Sequence, residues 1–377
     1  MKLGNFIKVI NGYPFNSDSF NTEGHGYPVI KIKEMKKQAI QLSKDTCYSE
    51  YNHSLQQYVL NRDDILIALT GNPPTKGTTD AMVGRCSRYN LFLPSLLNQR
   101  VCKVISSSEE LLNEYLYYFL SLESTTTSLA SRCSGSANQA NISSNDIKDL
   151  EITLPSVGVQ QHIVNTIGSV DDLIESNANF ISKFQQYLSQ IYKLYCLDIN
   201  YEVELNSLIV RTGKTLKNKE WFGSNVLDLS TMPNNNIFIN DFSCGENFTT
   251  NIKTLNNLDL VYGSIRPYFK KAGFALDVDY IAGSVYSFMP LDEKNYLWLL
   301  ACICSDDFHL FTSSNSQGTK MPIINWDTFS SFKIRYDSKI IHEFNKQVQP
   351  LFDLCVIKAR EIRRLKAIKE KLLSKYF

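Results

Sequence analysis

No apolar run in this chain approaches the roughly 20 residues that a membrane-spanning helix needs. The longest, at 65–69 and 296–303, are short and lie in polar surroundings. Residues 1–11 have no apolar core followed by small residues, so a secretory signal is not expected and a cytoplasmic protein is. Paired cysteines are missing too. Nine cysteines, an odd number, are scattered at 47, 86, 102, 133, 196, 244, 302, 304 and 355 without one Cys-x-x-Cys, which argues against a disulfide framework and a zinc site. His25, His53, His162, His309 and His342 are as dispersed, and none has the spacing that puts two ligands on one helical face, so no metal centre is expected. An excess of one charge is also lacking, with 39 basic against 38 acidic side chains. A freestanding nonspecific DNA binder normally shows a clear basic excess.

What remains is an ordinary globular composition, 43% apolar, 20% charged and 12% aromatic over 377 residues, enough for two or more domains. Compared with itself, the chain shows an internal duplication. Residues 134–142, running on to Asp149-Leu150-Glu151-Ile152, correspond to 317–324, running on to Ser331-Phe332-Lys333-Ile334, at an offset of 182. A weaker likeness joins 3–12 to 205–213.

After each copy comes a long helical pattern, over 160–196 and 341–377. In the first, Ile163, Ile167, Val170, Ile174, Ile181, Phe184, Leu188, Ile191 and Tyr195 recur at alternating spacings of four and three, a heptad seam. The second repeats the phase with Phe344, Val348, Leu351, Cys355, Ile362, Leu365, Leu372 and Tyr376, with Lys369 inside it. Asn177 and Lys358 interrupt both seams at one register, and a polar seam residue fixes register at some cost in stability.

Chain order constrains how such helices pair. Each follows its own globule, so paired helices must run antiparallel, with the globules at opposite ends of a rod of about 33 residues, roughly 50 Å by helix rise, and an approximate two-fold axis through the rod. The fold class expected is α+β: globules at 1–155 and 198–337, helices at 156–197 and 338–377. The globules show short β-rich runs at 27–33, 64–69, 100–105, 258–262 and 280–289, and one clear helix each, at 109–122 and 294–304.

By segment, basic and acidic side chains number 15 and 15, 2 and 3, 12 and 16, and 10 and 4. Net charge alone therefore speaks against nucleic acid, but local clusters soften this. Loops poor in acid gather Lys76, Arg85 and Arg88; Arg132, Asn138 and Gln139; Arg211, Lys214, Lys217 and Lys219; Arg266, Lys270 and Lys271; Gln317 and Lys320. Arg and Lys read guanine, and Asn and Gln read adenine, from the major groove. The bland alternative is a set of solvated loop residues. Lys358, Arg360, Arg363, Arg364 and Lys366 read equally well as a solvated helix face or a partner surface.

Catalytic patterns fail on inspection. Asn72-Pro73-Pro74-Thr75 has a threonine where an amino-methyltransferase loop needs an aromatic ring over the flipped base, and no glycine-rich turn is present for the adenosyl cofactor. Gly213-Lys214-Thr215 resembles the end of a phosphate loop, but Leu208 stands where its first glycine belongs. Asp292-Glu293-Lys294 reads as a helix start rather than a nuclease site.

Residues 135–142, with 152–156, Gln160-Gln161-His162-Ile163-Val164 and Asp171-Asp172-Leu173-Ile174-Glu175-Ser176-Asn177, resemble the end of a target recognition domain entering the conserved helix of type I restriction-modification specificity subunits. The second copy departs from that pattern at Arg335-Tyr336-Asp337 and His342-Glu343. The resemblance covers the whole chain. It implies a noncatalytic subunit whose two globules each read half of an asymmetric bipartite DNA sequence, with the helices as a ruler for the unread spacer. It also implies two modification subunits and restriction subunits, which would bring adenosylmethionine, ATP and magnesium, none being expected in this chain. Two alternatives stay open: a specificity module of another two-reader restriction class, and a noncatalytic coiled-coil scaffold for protein-binding domains.

Overall fold

The computed structural model describes residues 1–36, 39–72, 83–133, 140–217, 219–239 and 241–377. The chain divides into two compact units, 1–170 with 369–377, and 171–368.

In the first unit a four-stranded antiparallel sheet orders Ile7–Asn11, Val101–Ser106, Ile65–Ala68 and Cys86–Arg88. All four residues of Ile65–Ala68 are buried, because successive side chains point to opposite faces and both faces are covered. Ile65 and Ile67 pack with Leu3, Val104 and Leu116, whereas Leu66 and Ala68 pack with Ile30, Tyr89 and Leu97. The second group belongs to another sheet, ordered Tyr48–Ser49, Tyr27–Ile30, Ser95–Leu97, Val59–Leu60, in which Tyr27–Ile30 and Ser95–Leu97 run parallel. Helices α1 (Asn113–Ser121), α2 (Glu123–Ser131) and α3 (Ser144–Lys148) follow. Ser143 starts α3 by a capping box: its hydroxyl accepts from the Asp146 amide, and the Asp146 carboxylate accepts from the Ser143 amide.

Helix α4 (Val157–Cys196) begins in this unit and is fixed there by Gln160, fully buried. Gln160 Oε1 accepts from the Leu112 amide at 3.0 Å, and Nε2 donates to the carbonyls of Glu110 and Pro155 at 2.7 and 2.9 Å. The end of α8 (Ser338–Tyr376) lies alongside, with Tyr376 edge-on to His162 and Phe377 against Tyr115.

The second unit repeats this plan strand for strand. Ile209–Arg211, Val285–Pro290, Leu260–Gly263 and Ala272–Phe274 form the antiparallel sheet. Ser243–Cys244, Asn225–Leu227, Tyr280–Ala282 and Ile252–Thr254 form the other, again with its two central strands parallel. Helices α5 (Tyr296–Ile303), α6 (Asp306–Ser314), α7 (Trp326–Ser330) and α8 match α1 to α4. Even turn chemistry recurs: Asp64 accepts from the Asn61 amide and Asp259 from the Asn256 amide. The duplication thus covers the whole globule, not only its ends.

Two elements differ from the sequence expectation. The run 280–289 is two strands in different sheets, broken after Ala282 where Gly283 passes the Asn251 backbone so closely that a Cβ would stand 3.1 Å from its carbonyl oxygen. The helix expected from 109 begins at Asn113, because Ser106 Oγ bonds the Ser108 and Leu111 carbonyls and holds 106–111 as a turn. At the matching point of the second unit Asp292 caps the Lys294 amide at 3.0 Å and starts a 3-10 turn that leads into α5.

Within the second unit α4 and α8 run antiparallel, as contacts Asn177–Glu361, Phe184–Phe352 and Tyr195–Phe344 show. Of the seam residues, Ile163, Ile167, Ile181, Phe184, Leu188, Phe344, Val348, Cys355, Ile362 and Leu365 are buried. Val170, Ile174, Ile191, Tyr195, Leu351, Leu372 and Tyr376 are half-buried. Asn177 is buried at the interrupted register. In α8 the buried position there is Ala359, and half-buried Lys358 stands beside it, paired with Glu361 at 3.0 Å; strict alternation of four and three from Phe344 falls on 358, so the seam shifts by one residue between Cys355 and Ile362. Lys369 is buried, its ammonium 5.7 Å from the Tyr118 ring.

Candidate nucleic-acid interface

Lys76, Asn138 and Gln139 lie outside the described residues, as does most of the motif at 134–142. Of the other first-unit candidates, none is a simple solvated cation. Arg85 is half-buried and donates to the Met35 carbonyl. The Arg88 guanidinium lies 4.1 Å from the Tyr117 ring centre and 3.9 Å from Asp63. Arg132, though exposed, donates to the Asp146 carbonyl at 3.1 Å.

The second unit brings its candidates into two groups. In one, Arg266 and Lys270 bracket a turn at Pro267–Phe269, both in the left-handed region with φ of 51° and 53°. The Arg266 amide donates to the Pro322 carbonyl at 2.7 Å, which ties this turn to the loop of Gln317 and Lys320, both exposed. Gln317 and Ile323 close that loop by exchanging backbone hydrogen bonds at 2.9 and 2.8 Å. Tyr268, Phe269, Met321 and Ile323 are exposed on the same two segments. Lys270 is paired with Asp306 at 2.7 Å. Lys271 turns inward and donates to the Leu229 carbonyl, and burial lowers its ammonium below the usual lysine range, against the pull of Asp228.

The other group lies on the segment 211–217. Arg211 is held over the rings of Tyr286 and Trp326 at 5.1 and 5.0 Å. Lys214 and Lys217 are exposed, and Lys219 stands over Phe222 in a left-handed conformation. Sequence reading missed Lys253, which the fold brings to Gly213 and Lys214 through strand pairing. No local pattern marks it, because the pairing spans about 40 residues.

The basic cluster of α8 is mostly engaged within the unit. Arg360 grips Asp277 through Nε and Nη2 at 3.1–3.3 Å, and Arg363 reaches the same carboxylate at 3.4 Å and the Ile239 carbonyl at 3.1 Å. Arg364 and Lys366 are exposed. Among the described residues no three His, Cys, Asp or Glu gather as a metal site, and no helix is long and apolar enough to cross a membrane.

Residues 1–184 match the family model described as type I restriction modification DNA specificity domain. Over these 184 of its 377 residues the chain resembles the type I restriction-modification specificity family. Two curated relatives extend the likeness. One is the type I restriction enzyme EcoBI specificity subunit of Escherichia coli, 23% identical over 194 residues, which covers 50% of this chain and 36% of that one. The other is the MjaIX specificity subunit of Methanocaldococcus jannaschii, 22% identical over 322 residues, which covers 75% and 72%. The chain therefore spans about a third of the first relative's length. A crystal structure of the S subunit of the type I restriction-modification system from M. genitalium shares the fold over 100% of this chain and 95% of that one, with a TM-score of 0.58 at 15% identity. The specificity family match ends inside α4, so the second unit is tied to the first by its repeated topology.

Proposed function

We propose that this chain is the DNA sequence-specificity subunit of a type I restriction-modification complex. It binds an asymmetric bipartite target and directs adenine methylation and restriction by partner subunits. The observation that carries this is one fold built twice with different side chains: Arg211 stands at the sheet position that Val9 holds in the first unit, and Ser287 at that of Lys103. Two unlike readers joined in one chain recognise two unlike half-sites at a fixed separation, as dimeric repressors do with like ones. We assign the readers to 1–155 and 198–337 and the helices to 156–197 and 338–377, the helix pair setting the unread spacer.

The chain acts without catalysis of its own, in the cytoplasm, with two modification subunits and restriction subunits. Those partners carry the adenosylmethionine, ATP and magnesium chemistry. Their phosphate contacts supplement a chain whose net charge is only +1. Exchange of residues 198–337 for another reader tests the modular reading: methylation mapping should show one half-site altered and the other kept, and a change in both halves would contradict it.

A further inference from the structure

Gly213-Lys214-Thr215 is not a nucleotide-binding phosphate loop, since the segment leads into an extended bridge between Thr215 and Lys253 rather than a helix. Its geometry nevertheless gathers cations. Gly213 has φ of 86°, and a Cβ there would stand 2.7 Å from the Thr254 carbonyl oxygen and 3.4 Å from Lys253 Cβ. Only glycine allows the turn to lie this close to the Ile252–Thr254 strand. The two segments are then laced together: the Lys214 amide donates to Thr254 Oγ1 at 2.9 Å, the Thr254 amide to the Lys214 carbonyl at 3.0 Å, and the Leu216 amide to the Ile252 carbonyl at 2.9 Å.

Arg211 and Lys253 thereby share one surface, while Lys214, next to the Thr215–Lys253 bridge, alternates to the other face; among the described residues neither Arg211 nor Lys253 makes an ion pair. Asp327 lies within electrostatic reach of Tyr286, under the Arg211 guanidinium, without pairing to it. Asp259 is buried and bonded to Thr212 Oγ1 at 2.7 Å, and exposed Asp279, which precedes the strand paired with Ile252–Thr254, forms no ion pair with Lys253. The Lys253 ammonium is pulled below the usual lysine range, first by burial and then by Arg211. Like charges held together without a counter-ion are an arrangement that an anion completes.

Resting on the specificity reading above, we infer that Arg211 and Lys253 grip a backbone phosphate of the half-site read by the second unit. The tool is position, not sequence: the two rings fix the guanidinium, and the Lys253 ammonium is a point charge suited to a phosphate oxygen. Among the described residues the first unit has no such grip. The residues opposite the matching positions of its sheet are Val9, in place of Arg211, and the strand Val59–Leu60, in place of that bearing Lys253.

Lys253→Gln and the double variant Arg211→Gln/Lys253→Gln test this in the full chain assembled with its modification subunits. Equilibrium binding to the duplex found by methylation mapping is measured against KCl concentration. Each phosphate contact contributes about 0.9 to the slope of log affinity against log salt. The double variant should lower the slope by about that much and Lys253→Gln by part of it, both weakening binding several-fold at low salt, with the methylated sequence unchanged. Lys8→Gln, on the exposed edge of the first unit, should change nothing. Slopes equal to wild type in both variants would overturn the phosphate grip alone, and so would a changed methylation motif, which would mean base reading. A wild-type complex that binds its mapped duplex no better than a scrambled one would overturn the specificity reading and this assignment with it.

Discussion

Asn177 donates from Nδ2 to Glu361 Oε2 at 3.0 Å across the two long helices of the second unit, and the same oxygen accepts from Lys358 at 3.0 Å. The carboxyl is held below its usual range, by Lys358 first and Asn177 second. Asn177 is buried in an otherwise apolar seam, so its amide has a partner only when the helices pair in this register. A slip by one turn would strand it.

Asn177→Leu should therefore raise stability while loosening register, and Asn177→Asp should lower it by setting a carboxylate against Glu361. A difference of about 1 kcal/mol moves the midpoint of a unit this size by about 2–4 °C. Thermal melting of both variants at neutral pH checks the sign. Equal midpoints for the two would remove the bond from the account.

The equivalent acids of the two sheets are satisfied differently. Asp64 faces Lys103 at 3.2 Å, and this ammonium also reaches the Val59 carbonyl at 3.1 Å. At the matching site Ser287 replaces the lysine, and Asp259 relies on Thr212 and Asn256, with burial raising its carboxyl above the usual range. Lys103→Met leaves Asp64 without its ammonium in a site where the two side chains are 8% and 17% exposed. Such a loss costs about 3–5 kcal/mol. Ser287→Ala removes one neutral hydrogen bond, worth about 1 kcal/mol. Denaturant titration compares the two, and the lysine variant should be the weaker by a wide margin.

His309 sets an acid limit on the second unit. It is 3% exposed, its Nδ1 lies 3.2 Å from Tyr262 Oη, and burial, reinforced by Lys270 and opposed by Asp306, pulls it from 6.5 down to about 4. The folded state then binds fewer protons than the unfolded one between these values. Stability from this group is full above pH 6.5 and is lost as pH falls toward 4, on the order of 3 kcal/mol in all. His309→Gln should flatten that part of the profile. Denaturation midpoints at pH 7 and 5 that fall equally in both proteins would assign the loss elsewhere.

The helix pair was legible because a heptad repeats its signal over some 40 residues in each copy. The duplicated sheets were not. The offset between copies shrinks from 202 residues between Ile7 and Ile209 to 181 between Val157 and Ser338, and strands of two to six residues give no alignment anchor across such drift. Side-chain direction was hidden in the same way. Arg88 and Arg211 look alike as loop cations, but one meets Tyr117 and Asp63 and the other two rings and no carboxylate, through contacts made by distant segments. Lys253 carried no signal at all until the strand pairing set it beside Gly213.

The central claim is that this chain chooses where a methylase acts. Single-molecule methylome sequencing of cells with and without its gene, the modification gene kept intact, measures that choice directly. One asymmetric bipartite methyladenine motif should disappear with the gene and return with it. An unchanged methylome, in cells whose modification subunit is expressed and active, would contradict it.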